Sequence, residues 1–403
     1  EIWGISVPML AGMLFLIISS YCMFQLRSFA KVLYAPIGWL IACGIAFVLV
    51  QVAVHDVSIL DSNLRTYIIW MLQLMLVFSL GLRRGFYFRF PLVLFVLAVT
   101  TLPFLSFNPG EVERARVDVD LGIQGGLSHP GGLGEWFGFF AVYFVIVGIE
   151  SKRFRYRVAA WAAALVCLFV VTLTVGRGPL FAAALAITIA FRGLLRRGFV
   201  PTFAMIILAG VVYESGLFDQ AVTRYETRAS EETGREILWP MAVERLLESG
   251  ITPLVGVGQS RVGMYALSAR QASGPHNTFL YLALASGIVP LAFFTGFWIK
   301  AGWQSTTSLR GQEYDSFRLP YLVFTFVEVM LGDSALMSPW ALVTLSVGAG
   351  SALFYAKERL LVVRVGNKTR FGLLPAHEAA EASTITRSHP NLSSTSPMRS
   401  SIK

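Results

Sequence analysis

The sequence predicts an all-α fold: a polytopic membrane protein whose helices cross the bilayer repeatedly, with one large, partly helical loop outside it. Three compositional facts and one pattern carry the prediction. Of 403 residues, 55% are hydrophobic and only 14% are charged, and the mean hydropathy is +0.63. Soluble domains carry about 25% charged residues. The pattern is a series of apolar runs of the length a helix needs to cross a hydrocarbon core of about 30 Å. Eleven are visible, at 4–24, 32–54, 66–82, 90–107, 135–150, 158–175, 179–195, 199–213, 278–299, 319–332 and 339–355.

Charge gives these runs a direction. Lys and Arg gather in alternate connections: Arg27 and Lys31; Arg83, Arg84 and Arg89; Lys152, Arg153, Arg155 and Arg157; Arg192, Arg196 and Arg197; Lys300, Arg310 and Arg318; Lys357, Arg359 and Arg364. The intervening connections are neutral or acidic, and 108–134 sets Arg114 and Arg116 against Glu111, Glu113, Asp118 and Asp120. A basic excess marks the cytoplasmic side, so 55–65, 108–134, 176–178, 214–277 and 333–338 are expected to face outward. Residue 1 then starts outside without a signal peptide, which predicts a twelfth helix ahead of it. The net charge of +9 follows from this asymmetry and gives no reason to invoke nucleic acid.

Four regions result: an N-terminal transmembrane bundle (1–213), an external loop with short helices (214–277), C-terminal transmembrane helices (278–355) and a cytoplasmic tail (356–403). The tail is rich in Ser and Thr, poor in large apolar groups, and expected to be disordered. Cys22, Cys43 and Cys167 all fall inside predicted spans, so no disulfide framework is implied.

The loop 214–277 is the one external segment long enough to fold. Thr233-Gly234-Arg235-Glu236 has capping-box spacing, with Thr233 as N-cap and Glu236 at N3. Ile237, Leu238, Met241, Leu246 and Leu247 follow at near-helical spacing. Pro240 is expected to kink or restart that helix, and Ser249-Gly250 to stop it. The stretch Thr252–Ser260 is punctuated by Gly256 and Gly258, where backbone N–H groups could approach a ligand. Short amphipathic helices on the outer surface, with a re-entrant path to His276, are the expected arrangement.

Candidate chemistry concentrates at four places. Gly274-Pro275-His276-Asn277-Thr278 joins the loop to the apolar run 278–299. An imidazole there can exchange protons near neutral pH while touching water on one side and membrane on the other; Asn277 is expected to be the N-cap of the next helix. A capping or packing role for His276 is the plain alternative. Arg177, in Gly176-Arg177-Gly178, is a charge held at the outer boundary, where bidentate pairing with phosphate would explain it. A salt bridge to Glu135 or Asp333 would explain it equally. Arg235 is a second candidate phosphate ligand, against a solvated helix charge. His129, in Ser128-His129-Pro130, echoes His276 at the head of another run.

Other chemistries lack support. Asp118-Val119-Asp120 matches the D-x-D of metal-dependent sugar transferases, but the pattern is short, common and on the side away from nucleotide sugars. There is no G-x-S-x-G, Walker A, HExxH or CxxC motif.

Together these features resemble the O-antigen ligase and polymerase superfamily. The match rests on Gly176-Arg177-Gly178, Thr233-Gly234-Arg235 with Trp239, Pro253–Gly258, and Pro275–Leu280 followed by Ser286-Gly287-Ile288, in that order. It covers roughly residues 90–355; Gly176 and Thr233 stand where serine is commoner. The resemblance implies a GT-C-like membrane fold of about twelve spans in the bacterial inner membrane. It also implies a site facing the periplasm that moves a glycan from an undecaprenyl-diphosphate donor, without cofactor, nucleotide or metal. Arg177 and Arg235 would hold the diphosphate, His276 would deprotonate or position the acceptor hydroxyl, and Asn277, Gly256, Gly258 and His129 would support them. Lipid A core, a growing glycan or a protein Ser/Thr are the expected acceptor classes, membrane lipids the surroundings, and a lipid-glycan flippase the rival function. A transporter predicts charges deep within several spans and an internal repeat, whereas Glu328 is the main charge in these runs.

Overall fold

The computed structural model describes residues 35–81, 86–101, 105–107, 117–119, 130–174, 177–195, 235–263, 274–307, 315–332 and 339–349. The runs 4–24 and 199–213, Thr233, His129 and the tail from 356 lie outside the described residues, as do Cys22 and Asp333. What is described is helical apart from one small hairpin. The first helices are α1 (Pro36–Ala53), α2 (Ser62–Gly81), α3 (Phe86–Thr101), α4 (Pro130–Glu150), α5 (Phe154–Leu173) and α6 (Arg177–Leu195). The segment 235–263 gives α7 (Arg235–Leu247), a single turn α8 (Thr252–Val255) and a 3₁₀ turn at Gln259–Arg261. Then come α9 (Thr278–Ser286), α10 (Ile288–Thr307), α11 (Asp315–Leu331) and α12 (Pro339–Gly348).

Three described helices are long and apolar enough to cross a membrane: α1, α4 from Gly132, and α5 as far as Thr172. Leu64–Phe78 and Arg89–Thr100 are shorter apolar stretches. Large apolar side chains stay exposed along α3 (Leu92, Val93, Val96, Leu97) and α5 (Val158, Leu165, Val166, Phe169). Stripes of that kind are costly in water and are accommodated by lipid.

The interior is aromatic. Phe137, Phe139 and Phe140 of α4 are fully buried, and Phe139 packs against Tyr321 of α11 and Trp340 of α12. Glycine sets how closely α4 approaches: a Cβ on Gly138 would lie 3.1 Å from the Phe324 ring, and one on Gly134 would lie 2.9 Å from Thr174 Oγ1. Small residues at crossings are the usual route to tight helix packing in membranes. Thr325 of α11 donates to Thr344 of α12, a polar tie between buried faces. On the other side, the Trp39 ring of α1 lies directly over Gly296 of α10.

Three expectations are corrected. The run 90–107 is not one helix. α3 ends at Thr101, and Leu105–Phe107 pairs antiparallel with Val117–Val119, setting Asp118 opposite Ser106. Pro103 in the intervening sequence has no N–H to extend the helix. The run 278–299 is two helices, separated at Gly287 with φ 75 and ψ −163. Finally, Arg318 is not a loop cation. It is buried in the first turn of α11 and donates to Gly348 O at the end of α12 and to Gln304 Oε1, a favourable place for a cation because helix C-termini carry partial negative charge.

Candidate functional site

The candidate residues gather at the C-terminal end of α11, where helix geometry leaves the last carbonyls without intrahelical partners. Arg235, the first residue of α7, donates from Nη2 to Leu331 O at 2.9 Å. Thr278, the first residue of α9, donates from Oγ1 to Gly332 O at 2.7 Å. Gly178 at the start of α6 faces Leu331, since a Cβ there would lie 3.4 Å from Leu331 Cδ1. Arg177, one residue earlier and half-buried, opens the same helix. The starts of α6, α7 and α9 therefore meet one helix end. Helix starts carry partial positive charge and the end of α11 partial negative charge, so the arrangement sets opposite helix ends against one another.

His276 is exposed and has φ 49, in the left-handed region. Its neighbours hold it there. Pro275 O accepts from Trp239 Nε1 of α7 at 2.9 Å. Asn277 is buried, and its Oδ1 accepts from the N–H groups of Phe279 and Leu280, making it the N-cap the sequence led one to expect. The imidazole thus projects from a short corner fixed on one side to α7 and on the other to α9. Trp239 fixes His276 relative to Arg235, four residues before it on α7.

Beside this corner lies an apolar pocket of about 1580 Å³. Arg235, Trp239 and Asn277 line one part, and Phe279, Leu280, Trp298, Phe326 and Met330 line much of the rest. It is an open groove, with Arg235 and Glu244 as its charged members.

Gly256 and Gly258 have a different immediate task. Val257 N donates to Leu284 O at 2.6 Å, Gly256 N to Thr252 O at 2.7 Å, and Gln259 N to Gln51 Oε1 at 3.0 Å. These N–H groups are engaged within the protein. Gly256 has φ 75 and ψ −173, a conformation essentially reserved for glycine. Its Cβ would lie 2.5 Å from Leu284 O, while one on Gly287 would lie 2.1 Å from Leu254 O. The Pro253–Gly258 and Ser286-Gly287 motifs therefore interlock backbone to backbone. Gln51, fully buried in α1, donates to Ala285 O and Ser286 Oγ, and His55 Nε2 donates to Val255 O at 2.9 Å. Gln51 and His55 were not singled out from the sequence, because only the fold brings them some two hundred positions along the chain to this loop.

No family model matches this chain, and no curated protein does.

Two acids, Glu328 and Glu135, lie within electrostatic reach of one another. Glu328, one turn before Leu331 on α11, is 3% exposed and its Oε1 has no hydrogen-bond partner. It interacts through space with Glu135 of α4 and with Arg235. The Trp340 indole neighbours Glu135, although its Nε1 makes no hydrogen bond of standard geometry. Among the described residues there is no group of three or more His, Cys, Asp or Glu suited to a metal ion. Arg177, Arg235 and the His276 corner are thus brought to one helix end; Asp118 lies in the hairpin, and His129 lies outside the described residues.

Proposed function

We propose that this chain is a membrane glycosyltransferase that moves a glycan from an undecaprenyl-diphosphate donor to a hydroxyl acceptor at the outer face of a bacterial inner membrane. The supporting observation is the meeting of Arg235, the Arg177 helix start and the His276 corner at Leu331–Gly332, beside a large apolar pocket. A lipid diphosphate has that shape: a long apolar tail and a doubly charged head.

In this reading the acceptor hydroxyl oxygen attacks the anomeric carbon as the bond to the diphosphate oxygen breaks. His276 takes the hydroxyl proton or aligns the hydroxyl. Arg177 and Arg235 stabilise the negative charge that gathers on the departing diphosphate. Single displacement inverts the anomeric centre, and neither nucleotide nor metal is required. Repeated crossing of the membrane and a GT-C-like arrangement belong to the same proposal. Lipid A core, a growing surface polysaccharide or a protein hydroxyl remain alternative acceptors.

A lipid-glycan flippase is the second reading, and the Glu135–Glu328 pair, two acids facing one another from α4 and α11, is the observation in its favour. Purified protein with synthetic lipid-linked donor and acceptor separates the two. Transfer by the wild type, falling about 10²- to 10⁴-fold in His276→Ala, supports the enzyme. Wild-type rates in His276→Ala would remove the catalytic assignment.

A further inference from the structure

The link between α7 and α8 carries apolar side chains that water does not favour. Leu247 and Ile251 are each 67% exposed and Leu254 is 56% exposed, while Leu238 and Ala242 on the other side of α7 are buried. A contiguous apolar patch of this kind marks contact with something apolar. Its place in the fold is set by two contacts. A Cβ on Gly287 would lie 2.1 Å from Leu254 O, so Leu254 abuts the head of α10, where Ile288 and Val289 are exposed as well. His55, just after α1, donates from Nε2 to Val255 O at 2.9 Å. Both contacts lie at the same level, because α10 runs antiparallel to α1. Ser286, just before α10, meets Gln51 near the end of α1, whereas Gly296 and Lys300 within α10 meet Trp39 near its start. The link therefore sits at the end of a helix long and apolar enough to cross a membrane. The exposed side chains of that helix, Ile45 and Leu49, lead to Val54, next to the residue that holds Val255.

We infer that the α7–α8 link is an interfacial membrane anchor: Leu247, Ile251 and Leu254 enter the lipid at the boundary between headgroups and acyl chains. The occupant is lipid because the patch continues the exposed apolar stripe of α1, a membrane-length helix. The depth is limited by the link itself. Glu244 and Glu248 are exposed on it, and charges and irregular backbone facing lipid are excluded from the hydrocarbon centre. Amphipathic segments of this kind settle about 5–10 Å into the boundary. Lipid then holds α7 at its far end, while Arg235 and Trp239 hold its start to Leu331 O and Pro275 O.

Nitroxide labels on single cysteines test this in the full chain, with Cys22, Cys43 and Cys167 replaced and the protein reconstituted in vesicles of phosphatidylcholine and phosphatidylglycerol. Collisions with oxygen, which concentrates in hydrocarbon, are compared with collisions with a water-soluble nickel chelate. Val166→Cys, exposed on α5, calibrates the lipid signal, and Ser260→Cys, exposed after Gly258, the aqueous one. Labels at Ile251→Cys and Leu254→Cys should both show an excess of oxygen collisions over nickel. Leu247→Cys replaces either variant should it fail to accumulate in the membrane. An excess of nickel collisions at either position puts the link in water and overturns the anchor. Few collisions with either reagent mean that protein covers the patch, which also overturns it: spin–spin broadening would then identify a second copy as the cover, and its absence another segment of this chain.

Discussion

The left-handed backbone at His276 separates the roles its imidazole can play. A non-glycine residue there costs of order 1–3 kcal/mol and persists only when its surroundings impose it; here the Trp239 bond to Pro275 O and the Asn277 cap do so. Asparagine tolerates this conformation well and can hydrogen bond, but it does not accept a proton near neutral pH. His276→Asn is therefore expected to keep the wild-type melting temperature within a few degrees while transfer falls by at least about 10²-fold. Rates within threefold of wild type would mean that the imidazole aligns the acceptor and takes no proton. Much about this residue was legible beforehand: its position at a loop-to-helix junction, and Asn277 as the cap, follow from adjacent residue types. Its backbone strain was not, since that depends on Trp239, more than thirty positions away.

At the scale of elements, local signals were readable and contacts between distant segments were not. Asn277 and the apolar run after it announce a helix start, and Gly176-Arg177-Gly178 announces a tight link between α5 and α6. The break at Gly287 escaped, because an apolar run reads the same whether it is one helix or two, and the cause of the break is the backbone of Leu254. The burial of Arg318 escaped for the same reason: its partners, Gly348 O and Gln304, come from other helices. The interlock predicts a large effect from one methyl group. Gly287→Ala places a Cβ 2.1 Å from a carbonyl oxygen at a backbone conformation open only to glycine. Strain and clash together should cost about 3 kcal/mol, seen as a lower melting temperature in detergent. Gly250→Ala, with nothing within 4 Å of the added carbon, is the matched control and should melt as wild type. Equal melting of the two variants would show that the two motifs do not interlock.

On the scale of the whole molecule, the decisive quantity is which end of the bundle faces outward. Arg177, Thr278, Leu331 and the α7 start share one end, while Arg318 and Gly348 mark the other end of α11 and α12. The alternation of Lys and Arg predicts that the first end lies outside, where a lipid-linked donor would present its glycan. Single cysteines turn this into a measurement. Ser260, in the turn after Gly258, and Arg155, in the basic link at the start of α5, are both exposed. Cys43 and Cys167 are buried and should react little; replacing all three native cysteines, Cys22 included, removes any background. A membrane-impermeant maleimide added to cells with a permeable outer membrane should label Ser260→Cys directly. Arg155→Cys should react only once the inner membrane is opened. The reverse pattern would put the His276 corner in the cytoplasm, where nucleotide-linked donors are available, and a periplasmic ligase or polymerase would no longer be tenable. Labelling of both sites in intact cells would break the alternation of spans itself, and with it the side assigned to the three helix starts that meet at Leu331.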